Sequence, residues 1–168
     1  MNLDVNTIKG QETLKDEAEA VALFHARFPT YKYVHTDKSR PAKADAVVMR
    51  NDVTDSVALT ACRHDMDMAK FRGKRASEWL ITKDKVDTAI LLGECLCCDV
   101  LGLLYLVPSR VLLVKRIWSW PHRRVSPMRY VDDIETQATV NGGRVTRVNA
   151  LIDMQNAAMC EPYERTVP

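Results

Sequence analysis

The stretch Ala89 to Val114 (AILLGECLCCDVLGLLYLVPSRVLLV) limits the possible folds more than any other part of the chain. It is apolar enough to suggest a membrane span, but Glu94, Asp99, Pro108 and Arg110 interrupt it. Charges at those positions are too costly in the middle of a bilayer. The stretch must instead be buried in protein. Its first part continues a helix over Asp84 to Cys98, with Val86, Ala89, Ile90, Gly93 and Cys97 on one face. Its second part reads as two strands, Val100 to Val107 and Arg110 to Ile117, joined tightly through Pro108-Ser109. Near-continuous apolar strands are covered on both faces. The chain therefore needs a central sheet with helices on its faces, which is the α/β class.

The rest of the sequence supplies the layers. Gln11 to Phe28 has Leu14, Ala18, Val21, His25 and Phe28 on one helical stripe, with Thr7 or Thr13 as a cap and Pro29 as a stop. Tyr31 to His35 reads as a short strand and Asp37 to Lys43 as a polar loop. Ala44 to Arg50 and Ser56 to Arg63 are strands joined by turn residues Asn51-Asp52 and Thr54-Asp55. Asp65 to Leu80 is expected to be a helix anchored by Met68, Phe71, Trp79 and Leu80. Trp118 to Tyr130 (WSWPHRRVSPMRY) reads as a loop or arm. Glu135 to Val140, Asn141-Gly142-Gly143 and Arg144 to Ile152 read as a hairpin, because Asn-Gly supplies positive φ. The tail from Cys160 to Pro168 is expected to fray. The predicted order is α-β-β-β-α-α-β-β-β-β in a single domain over residues 1–168, of a size usual for one domain.

Composition excludes several classes. The 46% hydrophobic and 27% charged content argues against a disordered polymer. A net charge of +2 is too near balance to imply nucleic-acid binding, so that reading must rest on local clusters. Five cysteines, three of them crowded at Cys95, Cys97 and Cys98, do not form a secreted disulfide framework. They read as small core thiols rather than zinc ligands. The N-terminal residues lack an apolar signal segment. The expected setting is a reducing cytoplasm, with no membrane and no organic cofactor.

Helix, strand, acid-bearing hairpin, helix and strand in that order resemble the core of the PD-(D/E)xK (restriction endonuclease-like) nucleases over about Gln11 to Ile117. In the segment Pro41-Ala42-Lys43-Ala44-Asp45, Asp45 stands where that family places its strand-opening Asp. Ser56 to Arg63 stands where the (D/E)xK strand would be, and Glu17 is the counterpart of a Glu on the first helix. The resemblance implies a central mixed sheet flanked by helices, and hydrolysis of DNA phosphodiesters with Mg²⁺ or Mn²⁺. Two carboxylates on neighbouring strands can hold such a hard cation. A lysine two residues beyond the second carboxylate points to the same side and can stabilise developing charge.

The triplet itself is altered, because Leu59-Thr60-Ala61 occupies it. Arg63, on the face of Leu59 and Ala61, supplies a cation but no base. It reads equally as a phosphate contact or as a salt-bridge partner of Asp65 or Asp67. Migrated groups are sought in Asp65, Asp67 and Glu78, and in Lys70 and Lys74. The expected metal ligands are Asp45 and Asp65. The bland readings are that Asp45 caps its loop, that Glu17 and Glu19 are solvated, and that His64 is a surface histidine.

A nucleic-acid surface is expected from Trp118, His122, Arg123 and Arg124, with Lys70, Arg72, Lys74 and Arg75 bordering the same groove. Three functions follow as expectations. The chain is a Mg²⁺-dependent endonuclease with a migrated site, a catalytically inactive nuclease-fold protein that binds DNA, or a homodimeric assembly protein built through the C-terminal hairpin.

Overall fold

A computed structural model describes residues 8–37, 44–74, 77–136 and 145–162. Helix α1 (Ile8–Arg27) is followed by β1 (Tyr31–His35), β2 (Ala46–Arg50) and β3 (Val53–Arg63). The three strands form an antiparallel meander. Asn51 and Asp52 both take positive φ, 52° and 60°, which makes the tight β2–β3 turn. Thr54 and Asp55, expected in that turn, extend β3 instead.

The region after β3 departs from the expected long helix. It is a short helix α2 (Met68–Lys74) followed by strand β4 (Glu78–Thr82). Ser77 adopts φ 58°, which no helix interior accommodates. Beyond it Trp79 and Ile81 are buried with period two, so Trp79 and Leu80 are strand residues. The strand state rests on pairing with residues Asn149 to Asp153, a partner that local periodicity cannot reveal.

Helix α3 (Lys83–Leu96) ends at Cys97, which is in the left-handed conformation at φ 54°. It feeds β5 (Asp99–Leu106), and β6 (Val111–Ser119) follows a single 3-10 turn. Strand β5 lies parallel to β3 and antiparallel to β6. The main sheet has the order β1-β2-β3-β5-β6-β10, where β10 is Ala158–Cys160. The short β7 (Arg124–Val125) also pairs with β6. A second sheet has the order β4-β9-β8, with β8 at Met128–Thr136 and β9 at Val145–Asp153. The expected C-terminal hairpin is therefore present as β8–β9, and it begins earlier than expected. Its Asn141-Gly142-Gly143 turn lies outside the described residues, as do Thr7, Pro41, Ala42, Lys43 and Arg75.

Two expectations for the last third are corrected. The segment from Trp118 is not a free arm, because Trp118 completes β6 and is buried, and β8 starts at Met128. Cys160 is not frayed. It pairs opposite Leu112 and is buried.

The layers follow from alternation along the strands. Ala46, Val48, Ala58, Leu103, Tyr105 and Leu112 face α1, where Ala20, Leu23 and Phe24 close over them. Val57, Leu59, Leu104, Leu113 and Ile117 face the other way, against α3 and the second sheet. The chain is thus α/β, with a mixed sheet between helical layers. Among the described residues, no helix is long and apolar enough to cross a membrane.

Candidate functional site

Asp45 immediately precedes β2, and its backbone already belongs to the sheet: its N–H donates to the Ala58 carbonyl at 3.0 Å. Strand β2 starts at Ala46, so the next inward N–H of β3, on Thr60, finds no strand acceptor. The Asp45 carboxylate fills that role, and Oδ2 accepts the Thr60 N–H at 2.7 Å. Lys85, one turn into α3, donates to Oδ1 at 3.0 Å and lies 2.8 Å from Oδ2. The two side chains are 26% and 34% exposed, so the pair is shielded but not dry. Asp45 therefore points towards α3 rather than into bulk water. Its bland role, satisfying local backbone, is present together with a specific ion pair.

On the α1 side, the Thr60 hydroxyl and the Tyr33 phenol share a 2.7 Å hydrogen bond. Burial pushes the Tyr33 pKa up. The bond to Thr60 opposes this, and the charges of Asp45 and Glu17 add to it. The phenol is neutral at physiological pH. Glu17 acts on Tyr33 from α1 and lines a cavity of about 250 Å³ with Leu14, Ala18 and His35. Asp45 and Glu17 thus both bear on Tyr33, although 28 positions separate them in the chain.

Arg63 is elsewhere. Asp45 is level with Leu59, and four residues, roughly 13 Å of strand, separate Leu59 from Arg63. Arg63 forks onto Asp65, with Nε and Nη2 each 3.0 Å from a carboxylate oxygen. The Arg63 hydrogen bond holds the Asp65 carboxyl below the usual range against a smaller effect of burial. Asp67 accepts the Lys70 N–H at 2.7 Å and caps α2. The Lys70 side chain is exposed, and Lys74 closes α2 with its side chain outside the described atoms. Glu78 accepts both Arg129 donors at 2.8 Å, in the second sheet.

Asp16 and Glu19 on α1 are also paired rather than merely solvated. His64 Nε2 is 3.1 Å from Asp16, and Arg110 Nε donates to Glu19 at 2.6 Å beside the buried Tyr105 phenol. His64 follows β3 and Arg110 follows β5. The two contacts tie α1 to the carboxyl ends of the parallel strands.

These positions bear on the expected metal pair. A Mg²⁺ ion needs near-octahedral oxygen ligation, keeps several waters and is usually held through one or two carboxylates. Asp45 is committed to Lys85 and Thr60, and Asp65 to Arg63. Among the described residues, no three His, Cys, Asp or Glu side chains converge. The expected pair does not fit a Mg²⁺ centre in this arrangement.

The expected nucleic-acid residues divide into two groups. Trp118 is 3% exposed inside the core and cannot meet a ligand. His122, Arg123 and Arg124 are exposed, and the Arg123 guanidinium sits 5.4 Å from the centroid of the half-buried Trp120 ring. This loop lies at the Asp99 end of β5, where Asp99 accepts the Trp120 N–H at 2.8 Å. Helix α2 lies at the other end, where Met68 N–H donates to Ser109 at 2.7 Å. Seven residues of β5, roughly 23 Å, separate these ends. Lys70 and Arg72 do not border the same groove as Arg123 and Arg124.

Sequence reasoning missed Lys85, Thr60 and Tyr33. No spacing signal connects them, because each comes from a different element. The chain matches no protein-family model, no curated protein and no solved structure.

Proposed function

We propose that this chain is a nuclease-fold protein that binds DNA through its arginine-rich loop and does not hydrolyse it. A helix, a three-strand meander and a helical crossover to a parallel strand support the kinship with PD-(D/E)xK nucleases, as does the acid that opens the second strand. One observation carries the loss of hydrolysis: both Asp45 oxygens are engaged by Lys85, and Oδ2 also by the Thr60 N–H, opposite a strand that carries Leu59-Thr60-Ala61. A carboxylate held this way has no partner carboxylate beside it and is already neutralised by an ammonium, which disfavours metal-assisted hydrolysis there. Arg123 and Arg124, beside the exposed His122, provide a compact exposed cationic surface for phosphate. Five free thiols suit a reducing, cytoplasmic setting.

The test uses the full chain with supercoiled plasmid and labelled duplex. The expected result is salt-sensitive binding with the plasmid left intact in Mg²⁺ and in Mn²⁺. Metal-dependent nicking that disappears in Asp45→Ala would reverse the catalytic half of the proposal. Absence of any binding at low salt would reverse the other half.

A further inference from the structure

Strand β1 ends the main sheet. It pairs with β2, and among the described residues no strand lies beyond it. A bare edge of this kind is a template for another chain. One bond fixes which way its backbone groups point. Thr36 N–H donates inward to the Asp45 carbonyl at 3.1 Å. Backbone groups alternate along a strand, so Lys32 and Val34 also bond towards β2, while Tyr31, Tyr33 and His35 turn theirs outward.

Helix α1 and the turn after it already occupy part of that edge. Tyr31 N–H donates to the Phe28 carbonyl at 3.1 Å. Tyr33 N–H donates to Nε2 of His25 at 3.2 Å. Rings hold the helix end in place, with the Phe24 centroid 6.4 Å from that of Tyr31 and 6.1 Å from that of Tyr33. The acceptor at the middle of the strand is thus a side chain, which one substitution can remove without touching β1.

The strand beneath the cap is complementary to itself. The β1–β2 register runs unbroken from Tyr31 opposite Arg50 to His35 opposite Ala46, so no bulge bends the edge away. The strand reads Tyr-Lys-Tyr-Val-His and has no proline to block pairing. A two-fold axis beside Tyr33 would set Tyr33 against its own copy, Tyr31 against His35 and Lys32 against Val34. The outward residues would then exchange backbone bonds, and no lysine would face a lysine. Val34 is 37% exposed and lies opposite the half-buried Val47, so the face away from α1 offers apolar surface for the same partner to cover.

We infer that β1 is a self-association surface closed by the His25 imidazole, and that the partner it fits is β1 of a second copy of this chain. The surface is separate from the DNA-binding loop, since four strand spacings, roughly 19 Å, lie between β1 and β6.

The experiment is size-exclusion chromatography with light scattering on the full chain, without DNA and at the highest soluble concentration. Wild type and His25→Gln, which keeps an acceptor, should run at the 19.1 kDa of one chain. His25→Ala should run at twice that mass. His25→Phe keeps the ring volume without the acceptor and should do the same, which covers the case that alanine unfolds the helix end. Adding His35→Pro should restore the single-chain mass, because proline removes an outward N–H and spares the bonds to β2. Thermal melts check that each variant is folded. Folded alanine or phenylalanine variants that stay monomeric overturn the inference. A double mass that survives His35→Pro places the interface elsewhere and also overturns it. Association of wild type or His25→Gln equal to that of His25→Ala overturns the role of His25 as the closure.

Discussion

Lys85 on α3 and Asp45 ahead of β2 are 40 positions apart in the chain, yet the ammonium lies 3.0 Å from one carboxylate oxygen and 2.8 Å from the other. The pair fastens the helical crossover to the opening of the second strand. It is about one-third exposed, so its Coulomb energy is discounted by solvent. The effects of breaking it depend on which partner is lost.

Lys85→Met should destabilise the chain by about 1 kcal/mol, since the remaining carboxylate can still be hydrated. Asp45→Asn keeps an acceptor for the Thr60 N–H and should cost a similar amount. Asp45→Ala leaves that N–H unpaired and should cost about 1–3 kcal/mol more. Urea denaturation checks the order. If the alanine and asparagine variants prove equally stable, the Asp45 carboxylate is not the acceptor that completes β3.

Gly102 in β5 faces the second sheet, and a Cβ built there would lie 2.7 Å from the Trp79 ring and 2.8 Å from Ile117. Gly102→Ala should therefore overpack the contact between the sheets and cost about 1–3 kcal/mol. For a domain of this size that lowers the melting temperature by about 2–4 °C per kcal/mol. A melting temperature equal to wild type would mean that the two sheets are not in close contact there.

Glu19 gives the chain an acid-sensitive tie. Burial alone would raise its pKa, but the neighbouring Tyr105 hydroxyl, the Arg110 hydrogen bond and the charges of Arg110 and Lys15 hold it below the ordinary value of 4.5. A depressed folded pKa contributes stability that is present above the unfolded value and lost as pH falls through the folded one. Stability should thus decline below about pH 4.5, and less steeply in Glu19→Gln. Identical acid profiles for the two proteins would remove Glu19 from the docking of α1.

The thiols should react in two classes. Cys95 and Cys97 are exposed, whereas Cys98 and Cys160 are buried. Burial raises the pKa of both buried thiols, and Arg27 partly offsets this at Cys160. Alkylation under native conditions, followed by mass spectrometry, should label Cys95 and Cys97 quickly and Cys98 and Cys160 only on unfolding. Rapid labelling of Cys160 would mean that β10 is not docked on β6.

Much of the architecture is written in local pattern. The apolar run from Ala89 to Val114 requires a helix followed by two buried strands, and it forms α3, β5 and β6. The stripe of α1, the Asn51-Asp52 turn and the placement of Asp45 at a strand opening are equally readable. Each depends on a residue's own backbone preference or on the face it presents, and these repeat with a fixed period. Partner choice carries no such period. Glu78 to Thr82 becomes a strand because β9 lies beside it, and Trp118 is buried because α3 and β5 cover it. Asp45 finds Lys85, and Arg63 finds Asp65, only once the chain has folded back on itself. The sequence determined which segments could line a core. The tertiary structure decided which charges meet, since contacts between distant segments are selected by the packing of the whole domain and not by any one stretch of it.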